Sequence, residues 1–386
     1  MPEASTFLAI FASPHFALGV TLEVLCFAFY LHADQHDGYL IASAMSLLVL
    51  SVTLVYSVIV VAATLLTYTV VSFAQTRRAA WRTLTRTVAV GLPSVPIVAY
   101  YYLLFGADSF WHAVYRERLV FPTANLLALA MGYGLVLWLA VWGMAQWMRS
   151  RQWSTPRVLI ACWAVVNGLL VYGPFAFQGR LMTGWHVGLC ILAAVGLHSG
   201  LLPWVGRQRW FAKLARQSPH ALSTVRNVVL ILTVPSTLLV ALLGLRIALD
   251  EHYYPYYLPG ADVRAVDWLA SRPDGNAVLL SSYGIGNYWI GHSEGRAVLG
   301  HQYAVVAPQA KSEAVHRFFS GEASEQEMRA LSRSLGVTYV FYGKLERDLG
   351  TLSLDELPWL LAVYKEDEVA IYRTASDDVP TVVGGG

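Results

Sequence analysis

Residues 39–75 contain no charged side chain, and that run limits what the chain can be. As one helix it would be about 55 Å long, well beyond the ~30 Å hydrocarbon core of a bilayer. Two helices with a turn near Thr53-Leu54-Val55-Tyr56-Ser57 fit the length, and one strongly tilted helix is the alternative. Apolar runs of spanning length also cover 7–31, 87–105, 125–148, 158–175, 185–205 and 227–249. Of the 386 residues 56% are hydrophobic and 13% charged, with mean hydropathy +0.48, whereas soluble domains are roughly 25% charged. The chain reads as an integral membrane protein.

Loop charge sets the orientation. Arg77, Arg78, Arg82, Arg86, then Arg149, Arg151, Arg157, then Arg207, Arg209, Lys213, Arg216, Arg226 occupy one set of loops. The alternate set carries Arg116, Arg118 and Arg180. The positive-inside rule puts the first set in the cytoplasm, with Arg180 and everything after Leu249 outside. The two-helix reading gives eight segments and an outer N-terminus; one long helix gives seven and an inner one. The expected location is the plasma (inner) membrane. The net charge of +2 is spread over short loops and predicts no nucleic-acid partner. Cys26, Cys162 and Cys190 lie in apolar runs and read as buried small hydrophobes. Met1-Pro2-Glu3-Ala4-Ser5-Thr6 lacks the basic region and cleavage site of a signal peptide.

Composition changes after Asp250. Tyr253-Tyr254-Pro255-Tyr256-Tyr257 reads as an interfacial aromatic belt. Beyond it the pattern predicts a small α/β domain. Helices are expected over 262–271, 311–319 and 324–335, the last opened by a Ser324/Glu327 capping box and closed at Gly336. Strands are expected over 277–280, 296–299 and 337–342, with a hairpin of 360–364 and 369–372 across Glu366-Asp367. The expected domains are 1–249, transmembrane; 250–374, extracytoplasmic α/β; and 375–386, a disordered tail.

Arg180 is the single charge in Pro174-Phe175-Ala176-Phe177-Gln178-Gly179-Arg180-Leu181-Met182-Thr183-Gly184-Trp185-His186, an outer turn between two apolar runs. Such a charge is costly unless it meets an anion or a paired acid. A guanidinium grips phosphate bidentately; snorkelling to lipid headgroups is the other reading. Glu23 lies inside the first span, where an ionisable group is a functional candidate. Arg116 and Glu117, in the outer loop with Asp108, His112 and Arg118, are candidates to line the Arg180 cavity; a solvated amphipathic segment is the alternative. His32, Asp34, His36 and Asp37 are metal-ligand types in an inner loop. No GxSxG, HExxH, P-loop or CxxC pattern occurs.

The turn from Pro174 to Leu181, followed by a span ending Ala193-Ala194-Val195-Gly196-Leu197, resembles a late outer turn of the C-type (GT-C) membrane glycosyltransferases, of the oligosaccharyltransferase-like or family 39-like kind. The resemblance implies transfer of a sugar from a polyprenyl-phosphate carrier to an extracytoplasmic acceptor, with Arg180 on the carrier phosphate. Ala277-Val278-Leu279-Leu280-Ser281-Ser282-Tyr283-Gly284-Ile285-Gly286-Asn287-Tyr288, then Gly295-Arg296-Ala297-Val298-Leu299-Gly300-His301, resembles the start of the outer domain of these enzymes. There a strand leads into a Trp-Trp-Asp-Tyr-Gly motif that reads the acceptor. Ser281-Ser282-Tyr283-Gly284 stands in that place without the tryptophans and aspartate, so sequon recognition is not implied. Tyr283 and Asn287, in a loop over 281–287, and His301, after a strand, become acceptor-side candidates. Pro2-Glu3-Ala4-Ser5-Thr6-Phe7, running into Ser13-Pro14-His15-Phe16-Ala17-Leu18, resembles an outer loop whose Glu faces the active site, which makes Glu3 the catalytic candidate.

The implied fold is a GT-C-like bundle of about eight segments with a C-terminal extracytoplasmic α/β domain. The resemblance covers the C-terminal part of such enzymes, whose essential acids lie in a first outer loop. A separate N-terminal catalytic chain is then an implied partner, beside membrane lipid and the polyprenyl-phosphate sugar. The cofactor is unknown, with a divalent metal left open. The alternative is a non-catalytic membrane scaffold or lipid-binding subunit.

Overall fold

The structure is a computed structural model that describes residues 14–75, 77–150, 153–249, 257–272, 275–301, 305–350 and 352–375. Glu3, the 253–256 part of the tyrosine belt and the 376–386 tail lie outside the described residues. The chain divides into two compact units, Met1–Ala241 and Leu242–Gly386.

In the first unit, five of the described helical stretches are long and apolar enough to cross a membrane: His15–His32, Val55–Ala74, Trp81–Ala107, Leu126–Ser150 and Gln178–Gly206. Asp37–Thr53, Thr155–Leu170 and Ala221–Leu232 are shorter apolar helices. Leu126, Leu127, Met131 and Trp138 point outward, an apolar surface that suits lipid rather than water.

The uncharged 39–75 run forms two helices, Asp37–Thr53 and Val55–Gln75, broken at Leu54 (φ −141°, ψ 72°). The chain reverses there. Ser43 Oγ donates to the Cys26 carbonyl at 2.9 Å and Leu54 packs on Gly19, so Asp37–Thr53 runs antiparallel to Pro14–His32. Val55–Gln75 then returns, because Tyr68 meets Tyr30 edge to face at 6.0 Å. Tyr30 and Thr69 share the Thr87 hydroxyl at 2.9 and 3.0 Å. Three buried hydroxyls thus join three helices where no water competes for their hydrogen bonds. Farther along, Leu126–Ser150 and Trp185–Val195 approach backbone to backbone. A Cβ at Gly143 would overlap the Leu192 carbonyl, and one at Gly196 the Leu139 carbonyl.

The single span expected over 227–249 is corrected by the structure. Ala221–Leu232 and Pro235–Ala248 are separate helices. A proline has no N–H to donate and is not tolerated in a helix interior, so Pro235 opens a helix instead of continuing one.

The second unit is built on strands β1 (Val278–Leu280), β2 (Arg296–Ala297), β3 (Tyr339–Tyr342), β4 (Leu360–Glu366) and β5 (Val369–Thr374). Their order is β2-β1-β3-β5-β4. β2, β1 and β3 are parallel, and β5 joins β3 and β4 antiparallel. Leu279, Phe341 and Ile371 face a layer containing Val266, Leu269 and Trp289. Leu280, Val340 and Tyr372 face the other, with Phe318, Phe319 and Met328. Cover on both faces explains why β1 is apolar without alternation. The capping box at Ser324 and Glu327 is present, and Asp367 turns the hairpin at φ 53°. The expected 281–287 loop is corrected: from Tyr283 onward it is the helix Tyr283–His292.

Candidate functional site

Arg180 lies in a 3-10 turn, Gln178–Met182. The segment 121–124 clamps that turn. Gly179 N donates to Phe121 O at 2.7 Å and Phe121 N to Ala176 O at 2.8 Å. The Thr123 hydroxyl donates to Val171 O, and Tyr172 OH to Ala124 O at 3.0 Å. The half-buried guanidinium lies 4.0 Å from the Phe121 ring centroid and 5.2 Å from that of Phe16. The ring faces attract the cation, and a guanidinium held in place in this way is a group of the type that grips an oxyanion.

The structure brings the predicted Arg116 segment to this turn. Arg116 is exposed in the π-turn Val114–Arg118, and its neighbour Tyr115 packs edge to face on Phe177 at 6.2 Å. Tyr56 and Phe175 pack on the same Phe177 ring. The Glu117 side chain lies outside the described residues.

Glu23 closes the other end of the turn. It is fully buried, and neither carboxylate oxygen accepts a hydrogen bond. Gly184, at φ 78°, caps the helix Trp185–Val195, and a Cβ there would overlap Glu23 Oε2. Trp163 is the next neighbour of that position. Phe16 and Glu23 are two turns apart on one face of Pro14–His32, so that face meets Arg180 at one end of the turn and Gly184 at the other. A carboxylate beside a helix N-terminus is favoured by the helix dipole. The loop after Pro14–His32 has a structural role instead: Asp34 pairs with Arg86 at 2.7 Å and Arg82 at 3.3 Å. The Arg86 hydrogen bond holds the Asp34 carboxyl below its usual range. His36 Nδ1 accepts from Gly38 N to cap the next helix.

In the second unit, Tyr283, Asn287 and His301 fall at the C-terminal edge of the parallel strands, where open α/β sheets present loops to ligands. Tyr283 and Asn287 are i, i+4 on one helix face. Gly286 lies against the Leu299 carbonyl, which brings that helix to the segment leading to His301. Two acids missed in the sequence support this edge. Glu346, fully buried, accepts from Ser282 N at 2.7 Å and Gly343 N at 3.0 Å. Burial pushes its carboxyl up while the Ser282 and Gly343 hydrogen bonds hold it down. Asp262, 1% exposed, packs against Gly343, and neither of its oxygens accepts a hydrogen bond. Burial raises its pKa from 3.8 to about 6, against the pull of Arg347 and Lys344. The Gly343-to-Glu346 spacing after a strand was a legible cap signal; its second partner, Ser282, was not.

Among the described residues no group of three His, Cys, Asp or Glu side chains is placed to hold a metal.

Solved structures of similar fold include the archaeal oligosaccharyltransferase AglB from Archaeoglobus fulgidus in complex with an inhibitory peptide and a dolichol-phosphate. It is 11% identical with a TM-score of 0.53, over 95% of this chain and 58% of that one. The apo form of the Archaeoglobus fulgidus oligosaccharyltransferase matches at 11% identity and TM-score 0.52, over the same shares. The fold is oligosaccharyltransferase-like. This chain spans little more than half the length of those proteins. No protein-family model matches it, and no curated protein matches it in sequence. Five apolar helices within an oligosaccharyltransferase-like fold make the chain a membrane protein.

Proposed function

We propose that the chain binds a polyprenyl-phosphate sugar and takes part in moving that sugar to an extracytoplasmic acceptor. The observation that carries this reading is the Arg180 turn, a half-buried guanidinium between two aromatic rings, within an oligosaccharyltransferase-like fold. In the reaction the anomeric carbon–oxygen bond to the carrier phosphate breaks, and a bond to the acceptor forms as the acceptor loses a proton. Negative charge then builds on the leaving phosphate. A fixed guanidinium stabilises that charge more in the transition state than in the ground state. Arg116 and Glu117 border the carrier site, Tyr283, Asn287 and His301 take the acceptor, and Glu3 is the acid assigned to the chemistry. The proposal keeps 1–249 as the membrane domain and 250–374 outside the cytoplasm.

The test is binding of a polyprenyl-phosphate sugar to the purified full chain, with transfer and hydrolysis followed in the same sample. Losing a charged, bidentate contact weakens binding on the order of tenfold to a hundredfold, the effect expected for Arg180→Ala. Unchanged affinity in a folded variant removes the phosphate role. Binding by the parent without turnover marks a carrier-binding subunit.

A further inference from the structure

We propose that the helix Arg209–Gln217 is an in-plane anchor that binds anionic phospholipid headgroups at the membrane surface. It directly follows the apolar stretch Gln178–Gly206 and is soon followed by the apolar helix Ala221–Leu232. A short helix between two apolar segments is pinned near the membrane–water boundary. Arg209, Lys213 and Arg216 recur at i, i+4 and i+7 and form one stripe; all three are exposed. Phe211 lies across the helix from that stripe. It is 1% exposed, in a cluster with Val205 and Ala221. That contact sets the rotation of the helix and turns the basic stripe away from its neighbours.

The flanks carry the interfacial aromatics expected of such a segment. Trp210 and Trp204 are 61% and 51% exposed, and Trp204 leans edge-on to Trp142 at 6.1 Å.

The described residues supply no counter-charge here. Between Glu117 and Asp250 there is no aspartate or glutamate, while the same stretch holds ten arginines and one lysine. Among the described residues none of Arg207, Arg209, Lys213 and Arg216 meets a carboxylate. With no carboxylate among the described residues to pair with, the stripe is matched to the lipid phosphates expected at the boundary where a helix between two apolar segments lies. The lysine and arginines reach the phosphate plane while their stems stay on apolar surface.

The full chain in neutral detergent is titrated with acyl-labelled phosphatidylglycerol, with phosphatidylcholine as the uncharged match. Phosphatidylglycerol binds preferentially, and the preference falls with added salt. Reversing Arg209, Lys213 and Arg216 to Glu together weakens phosphatidylglycerol binding by roughly a hundredfold. The milder Lys213→Gln weakens it by roughly fivefold, which keeps the test decisive if the triple variant does not fold. The double Arg209→Lys, Arg216→Lys variant binds like the parent. Equal binding of both lipids by the parent, or no loss in a folded charge variant, overturns the proposal and leaves an acidic protein segment as the partner of this stripe.

Discussion

Glu23 in the membrane unit and Glu346 in the second unit are both fully buried, yet their surroundings are opposite. Glu346 accepts two backbone N–H bonds and ties the loop after β3 to the loop after β1. Glu23 accepts none and lies against the cap of a helix. Burial alone therefore does not say what an acid does. A satisfied one is a strut; one without hydrogen bonds shapes the backbone it touches, or awaits a partner.

Gly184→Ala puts the comparison under the greatest strain. It combines an unfavourable φ with an overlap on Glu23, and is expected to destabilise the chain by about 3–4 kcal/mol in thermal or denaturant unfolding. Half or more of that cost should vanish in a Glu23→Ala background, because the overlap belongs to the pair. Additive effects would show that Glu23 and Gly184 do not meet as described. Next is Glu346→Ala, which leaves two buried N–H groups without acceptors at a cost of about 3 kcal/mol. Hydrogen exchange at the Ser282 and Gly343 amides should accelerate with it; unchanged protection would break the strut reading.

Asp262→Asn sharpens the comparison through pH. In the fold the Asp262 carboxyl ionises near pH 6 rather than 3.8. Between those values the unfolded chain gives up its proton first, so stability falls as pH rises from about 4 to about 6. Above that range the penalty is about 3 kcal/mol. The asparagine variant should be the more stable above pH 6 and lose its advantage toward pH 4; a pH-independent difference would contradict the burial of this acid. Glu23→Gln is expected to give the smallest change, within about 1 kcal/mol, because no hydrogen bond to the protein is lost. A loss as large as that of Glu346→Ala would show that Glu23 has a partner.

Much of the architecture was legible in the residues. The uncharged 39–75 run exceeded one bilayer crossing, and it does reverse at Leu54. The Ser324 capping box and the hairpin at Asp367 were readable because each depends on neighbours a few residues apart. The break at Pro235 carried a local signal that hydropathy averaging concealed. The single charge of Arg180 marked the turn in the sequence, whereas the packing of Tyr115 on Phe177 had no local signal. The aromatic rings around Arg180 come from residues 16 and 121, which no spacing rule connects to it.

By itself the sequence determined the membrane class and an α/β unit after the apolar runs, and it offered the reversal within 39–75 as one of two readings, since hydropathy, charge and periodicity act over a turn or a strand. Only the tertiary structure decided which buried acid is a strut and which presses on a helix cap. The hydrogen bonds that distinguish Glu346 from Glu23 depend on what the fold brings against each carboxylate from distant parts of the chain.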